Sequence, residues 1–182
     1  MSAIAGWLYG STQYKELAII QDDMPDYYYR CIIVGIEQSI VAGRTVGIVL
    51  SVRCDAPYAY MSTADTIITS NNYTESLYHN RSNVNKYYRP MITVEASGGT
   101  SVISINNTGD IIGEFEISGI PSSGAIIVVD CTRCILTSEE MPDVYSSCNL
   151  NFPRFLRGAN MIEVSGECVI TIQNRFPMII GT

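Results

Sequence analysis

Between Arg89 and Phe176 the chain repeats one pattern: short apolar runs with a period of two, cut by glycine and proline. In Pro90-Met91-Ile92-Thr93-Val94-Glu95-Ala96, the residues Ile92, Val94 and Ala96 fall on one face, and Thr93 and Glu95 on the other. Ser101–Ile105 and Glu114–Ser118 repeat the alternation, the latter with its glutamates outward. Ala125–Val129 is apolar on both faces and suits a central strand. Met161–Val164 and Glu167–Ile172 come next, and Val164-Ser165-Gly166-Glu167 between them reads as a tight hairpin turn. Alternating strands must bury one face, and two packed sheets do this at low cost. The expected fold is mainly β, with a β-sandwich over 89–182.

The preceding block, 1–62, is also β-rich. Ala3–Tyr9 has the spacing of one or two helical turns, with Ile4, Trp7 and Leu8 on one side and Gly10 as a stop. Tyr14–Ile20 reads as a short strand, and Gln21–Asp26 as an acidic turn. Tyr27–Ile36 places Cys31, Ile33 and Gly35 on one face and Ile32, Val34 and Ile36 on the other. In Arg44–Cys54 the residues Val46, Ile48, Leu50, Val52 and Cys54 share a face, and Ala42-Gly43 supplies a hairpin turn. The polar stretch 63–88 reads as a connector carrying one short strand near Thr66–Thr69. Thr137–Asn151 reads as an exposed loop or hairpin tip.

Composition narrows the function. With 11 basic and 18 acidic residues the net charge is −7, unsuited to a phosphate backbone. No apolar run is long enough for a membrane-spanning helix. Six scattered cysteines suggest reduced thiols and no required disulfide. Cys131-Thr132-Arg133-Cys134 lacks the second ligand pair that zinc needs, so no metal or other cofactor is expected. His79, the only histidine, lies in a polar stretch without a nucleophile nearby in sequence. Asp130 at a strand end reads as a turn cap. Twelve tyrosines suit subunit or sugar contacts, since each ring joins apolar area to a polar tip.

Several of these segments, in this order, resemble the distal tail protein family of long-tailed bacteriophages. They are Ile4-Ala5-Gly6-Trp7-Leu8, Asp22-Asp23-Met24-Pro25-Asp26-Tyr27-Tyr28, Arg53-Cys54-Asp55-Ala56-Pro57-Tyr58-Ala59-Tyr60, Arg89–Val94, Ile127–Cys131 and Asn151–Ile162. The resemblance implies a ring-forming first domain with a short helix, here lacking the family's first strands, and a galectin-like antiparallel β-sandwich. It also implies no enzymatic activity. It implies a hexameric ring of this chain at the tail tip, assembled in the bacterial cytoplasm, with tail tube protein, tail-associated lysin and receptor-binding protein as partners, and neither nucleic acid nor membrane. Ile4, Trp7, Leu8, Tyr27, Tyr28, Tyr58 and Tyr60 are the candidate subunit interface. The competing expectation is a carbohydrate-binding sandwich, for which Tyr145 and the phenylalanines are the available rings.

Overall fold

The computed structural model describes residues 13–20 and 26–180. The helix expected at Ala3–Tyr9, with Ile4, Trp7 and Leu8, lies outside these residues, as does most of the acidic turn before Asp26. The described residues form antiparallel strands and one 3-10 turn, Val144–Ser147, with no α-helix among them. The contacts divide the chain into two units: residues 1–61 with 178–182, and 62–177.

In the first unit, β1 (Lys15–Ala18) lies antiparallel to β2 (Tyr27–Val41). β2 turns at Ala42-Gly43 into β3 (Arg44–Cys54). Both turn residues have positive φ, 50° and 75°, as a two-residue hairpin turn matched to strand twist requires. β4 (Ala59–Ser62) pairs with the start of β2.

The second unit is a sandwich. Its strands are β5 (Thr66–Ser70), β6 (Tyr73–Asn80), β7 (Met91–Ala96), β8 (Val102–Asn107), β9 (Phe115–Ser118), β10 (Ala125–Asp130), β11 (Ile135–Thr137), β12 (Gly158–Ser165) and β13 (Cys168–Ile172). β14 (Arg175–Met178) leads the chain out of it. One sheet has the order β11-β10-β7-β13-β5, the other β6-β12-β8-β9. Each run predicted from the alternation between 89 and 176 is a strand here. In β7 the buried residues are Ile92, Val94 and Ala96, the expected face.

Four features differ from the sequence reading. The stretch 63–88 is not a connector with one strand. It supplies β5, bonded to β13, and β6, bonded to β12 along its whole length. Ile67 and Leu77 point outward while the polar Ser70 and Asn80 are buried, which hid the alternation. Second, β10 buries one face only: Ile126 is 51% exposed, because β10 has its own sheet on both edges but the other sheet on one face alone. Third, Val164–Glu167 does not close a hairpin. β12 and β13 belong to different sheets, so this turn is a corner between layers. Fourth, the loop after β11 is not simply exposed. It buries Met141 and Val144 and covers the edge of β9. There Asn149 donates through Nδ2 to the Glu114 carbonyl at 2.9 Å and accepts from the Glu116 amide at 3.0 Å.

Buried polar side chains hold the connections. Asn160 accepts from the Leu156 amide at 3.0 Å and donates to the Leu156 and Gly158 carbonyls at 2.8 and 3.0 Å. Asn107 donates to it at 3.2 Å and to the Arg154 carbonyl at 3.0 Å. The Pro-Arg-Phe-Leu-Arg-Gly-Ala-Asn stretch is therefore a loop wound around one asparagine. Arg154 in this loop grips Asp110 with two bonds of 2.6 and 2.9 Å and lies 4.0 Å from the centre of the Tyr87 ring. Asn174 similarly accepts from the Tyr78 hydroxyl at 2.9 Å and donates to the Ala64 carbonyl at 2.7 Å.

Both the corner glycine and the Arg154–Asp110 pair can be tested. Gly166 has φ +94°, and a Cβ there would sit 2.6 Å from the Val102 carbonyl oxygen. Gly166→Val should therefore destabilise the second unit by at least about 1–3 kcal/mol, read as a lower melting temperature. The Arg154 guanidinium holds the Asp110 carboxyl below its usual range, with help from the Ile111 and Ile112 amides. A carboxyl lowered by folding stabilises fully above its unfolded value, about pH 3.9, and loses this as pH falls through the folded value. Thermal melts of wild type and Arg154→Met should differ at pH 7 and converge as the solution is acidified below about pH 4.

A candidate assembly surface in the first unit

Three of the four tyrosines selected from the sequence come together, and one of them bonds to a carboxylate. Tyr28 on β2 stacks on Tyr60 of β4, with ring centres 5.7 Å apart and planes at 27°. Tyr58 meets the same ring edge-on at 5.5 Å. Asp55, one residue past β3, accepts from the Tyr60 hydroxyl at 3.3 Å and pairs with Arg30 at 3.4 Å. Burial, with the Asp55 charge behind it, pushes the Tyr60 hydroxyl far above its ordinary range. It stays protonated and donates at any physiological pH. Tyr28 is buried in its own unit, while Tyr27, Tyr58 and Tyr60 are half-buried. Three of the four rings thus build a small core with a polar edge, and Tyr27 lies beside Met61 on the β2–β4 pairing.

The larger apolar surface is the β2–β3 arm. Its register slips by one residue between Ile33 and Gly35. A bulge of this kind puts two residues of one strand against one of the other and reorients the strand beyond it. Ile36, expected opposite Cys31 and Ile33, therefore joins their face. Cross-strand partners share a face, and the pairs are Cys31 with Cys54, Ile33 with Val52, Ile36 with Leu50, and Gln38 with Ile48. The result is an apolar stripe along both strands. The face read from the sequence of β3 holds for Ile48, Leu50, Val52 and Cys54 but is interrupted at Val46, where the register slips a second time. It stands open to solvent: Val46, Ile48, Leu50 and Val52 are 63%, 48%, 40% and 43% exposed. Val49 on the opposite face and Val34 at the bulge are also exposed.

Edges add to this. Among the described strands, β3 pairs with β2 alone, and β1 accompanies β2 only along Tyr28–Cys31. Long apolar edge strands invite pairing with another chain, and soluble proteins blunt those they do not use. β9 in the sandwich is blunted by Asn149. The arm carries Glu37, Arg44 and Arg53, but no covering loop among the described residues.

The other sequence candidates fall elsewhere. His79 lies on β6 opposite Ala159, exposed. Asp130 caps a turn as expected, accepting from the Thr132 and Arg133 amides at 3.0 and 2.9 Å. Cys131 beside it is fully buried, and burial pushes its thiol up. No three His, Cys, Asp or Glu side chains among the described residues converge on a metal-sized site. Of the rings considered for sugar, Phe115, Phe152, Phe155 and Phe176 are all buried, and the Tyr145 hydroxyl accepts from the Leu136 amide at 2.9 Å. A polar cleft of about 630 Å³ lies where the sheets exchange chain, lined by Asn71, Asn72, Tyr73, Thr100 and Glu167 among others.

The described strands are all antiparallel, with an open apolar arm in one unit and a sandwich as the other. A family described as "Phage tail protein N-terminal domain" matches residues 1–56, and one described as "Phage tail C-terminal domain" matches residues 58–174. The second alone spans more than half of the chain, and the chain belongs to this family of phage tail proteins. Among solved structures, the fold is similar to that of the SPP1 Dit (gp 19.1) protein, described as a paradigm of hub adsorption apparatus in phages infecting Gram-positive bacteria. The TM-score is 0.65 at 11% identity, covering 96% of this chain and 70% of that one. No curated protein matches the sequence.

The two apolar surfaces should respond differently to mutation. Tyr28→Ala removes a buried ring and should cost about 3 kcal/mol of stability. Leu50→Ser alters an exposed position and should stay within about 0.5 kcal/mol of wild type in the isolated monomer. Urea denaturation of both variants checks the assignment.

Proposed function

We propose that this protein is the distal tail hub of a siphophage or prophage: a structural ring of six copies at the tail tip. It would join the tail tube protein on one side to the tail-associated lysin and receptor-binding protein on the other. The family match supports a tail component, and the Dit-like fold supports the hub position within the tail. The observation that carries the reading is the β2–β3 arm. In its stripe Ile48, Leu50 and Val52 are exposed, and Ile33 and Ile36 are half-buried. A protein otherwise so thorough in burying one face per strand leaves such a surface for a neighbour. In a ring each interface is head-to-tail, and the arm of one copy meets a different surface of the next.

The first-unit residues 1–62 would supply most of the ring contact, with Tyr27, Tyr58 and Tyr60 at its margin together with Ile4, Trp7 and Leu8. The sandwich would face the adsorption apparatus. No catalytic role is proposed: the reading is of a scaffold, assembled in the bacterial cytoplasm and carried in the virion tail.

Light scattering on the full gene product tests it. Six-copy particles, seen as rings by electron microscopy, are the expected result. The double substitution Ile48→Lys with Leu50→Lys should leave a monomer with an unchanged melting temperature. A wild-type chain that stays monomeric at high concentration, alone and with tail tube protein present, would overturn the hub reading. Rings unaffected by the two lysines would move the interface off the arm.

A further inference from the structure

Cys31 and Cys54 face each other across β2 and β3. The Asp55 amide donates to the Arg30 carbonyl at 2.9 Å, so the pair Arg30–Asp55 is of the hydrogen-bonded kind. Pair types alternate along an antiparallel ladder, so Cys31–Cys54 is of the other kind, in which the Cα atoms approach to ~4.5 Å and the side chains are closest. A disulfide spans Cα separations of about 4.4–6.8 Å. Both thiols are free and point to the same face; Cys31 is buried and Cys54 exposed. They stand at the root of the arm, between the tyrosine cluster and the bulge.

We propose that Cys31 and Cys54 form a site of reversible oxidation, closing to a cross-strand disulfide that clamps the root of the arm once the protein meets an oxidising environment. The oxidant is a small-molecule disulfide of the glutathione class. The exposed Cys54 thiolate attacks one sulfur of that disulfide, whose S–S bond breaks. One small thiolate leaves and takes up a proton, and a mixed disulfide remains on Cys54. The Cys31 thiolate then attacks the Cys54 sulfur and expels the second small thiol. The protein loses two electrons and two protons, and one small disulfide becomes two thiols. Access sets the order: burial pushes the Cys31 thiol up, and the neighbouring Cys54 and Asp55 add to this, so Cys31 is the poorer first nucleophile and the nearer second one. None of the other described thiols faces another across a strand pair: Cys131 and Cys134 share one turn, with Cys131 buried, Cys168 is buried in the sandwich, and Cys148 follows the 3-10 turn.

The bond would join chain positions whose connection is an arm held by its own ladder alone. Cross-links of this kind act by limiting the open states of the enclosed segment. Assembly inside a reducing cell would find an arm free to adjust, and a released particle would carry a clamped one.

The test uses the purified full chain, reduced and then exposed to oxidised glutathione. Free thiols are alkylated and the protein is digested with trypsin without reduction. Arg44 and Arg53 lie between the two cysteines, so only a disulfide keeps their peptides together. The expected result is a joined Cys31–Cys54 peptide pair in most molecules, lost on adding reductant. Amide exchange along β2 and β3 should slow at least several-fold in the oxidised form. Cys31→Ser should trap Cys54 as a persistent glutathione adduct. Separate alkylated peptides, a stable glutathione adduct on Cys54 in the wild type, or Cys54 bonded to a second copy would each overturn the proposal. The wild-type peptide map decides the matter even if the serine variant fails to fold.

Discussion

The sandwich rests on three cross-strand rows in its five-stranded sheet. Leu136, Val129, Ile92 and Ile172 form the first, and Ile127, Val94, Ile170 and Ile68 the second. Ala125, Ala96, Cys168 and Ser70 form the third. All twelve are buried. Large branched side chains fill the first two rows, and small ones fill the third. The third row lies at the end where the chain passes repeatedly from one sheet to the other. Bulk in the middle gives the apolar burial that drives sheet packing. Small side chains at the end leave room for backbone to cross, and the Ser70 hydroxyl there bonds to the Val164 carbonyl of the opposite sheet at 3.4 Å. A Cβ on Gly124, at the same end, would stand 2.6 Å from the Ala96 carbonyl oxygen. Register, corner position and residue size are thus one constraint seen three ways.

This arrangement explains how much of the fold is legible in the sequence. A period of two is a local property, and the runs of β7, β8, β9, β12 and β13 announce themselves through it. The choice of partner strand is not local. Val164–Glu167 carries the glycine and the positive φ of a turn, but the same chemistry serves a hairpin and a corner. β6 is hidden because two of its buried or half-buried positions are Asn80 and Ser76, which count as polar in any pattern. Asn80 is inside because its amide donates to the Phe155 and Leu156 carbonyls at 3.2 and 3.1 Å, and that need is visible only in the folded chain.

The candidate interface is legible to a different degree. The alternation of β3 can be read directly, and its exposure cannot, since an apolar face says nothing about who covers it. The bulge near Val34 leaves no local mark: Ile32, Ile33, Val34 and Ile36 are apolar whichever way each points. Position along the chain does not separate Tyr28, Tyr58 and Tyr60, which meet, from Tyr27, which lies beside Met61. The three contact one another and one of these bonds to Asp55, while the open apolar stripe lies further along the arm than any of them.

The contrast between β9 and β3 has a consequence for closure. One edge is finished inside the chain by a single asparagine, and the other has no further partner strand among the described residues. On the proposed reading, copies present this ladder to one another, and assembly stays finite only because the head-to-tail contacts close into a ring. A substitution that tilts the arm and spoils closure should therefore turn soluble rings into insoluble, open-ended material.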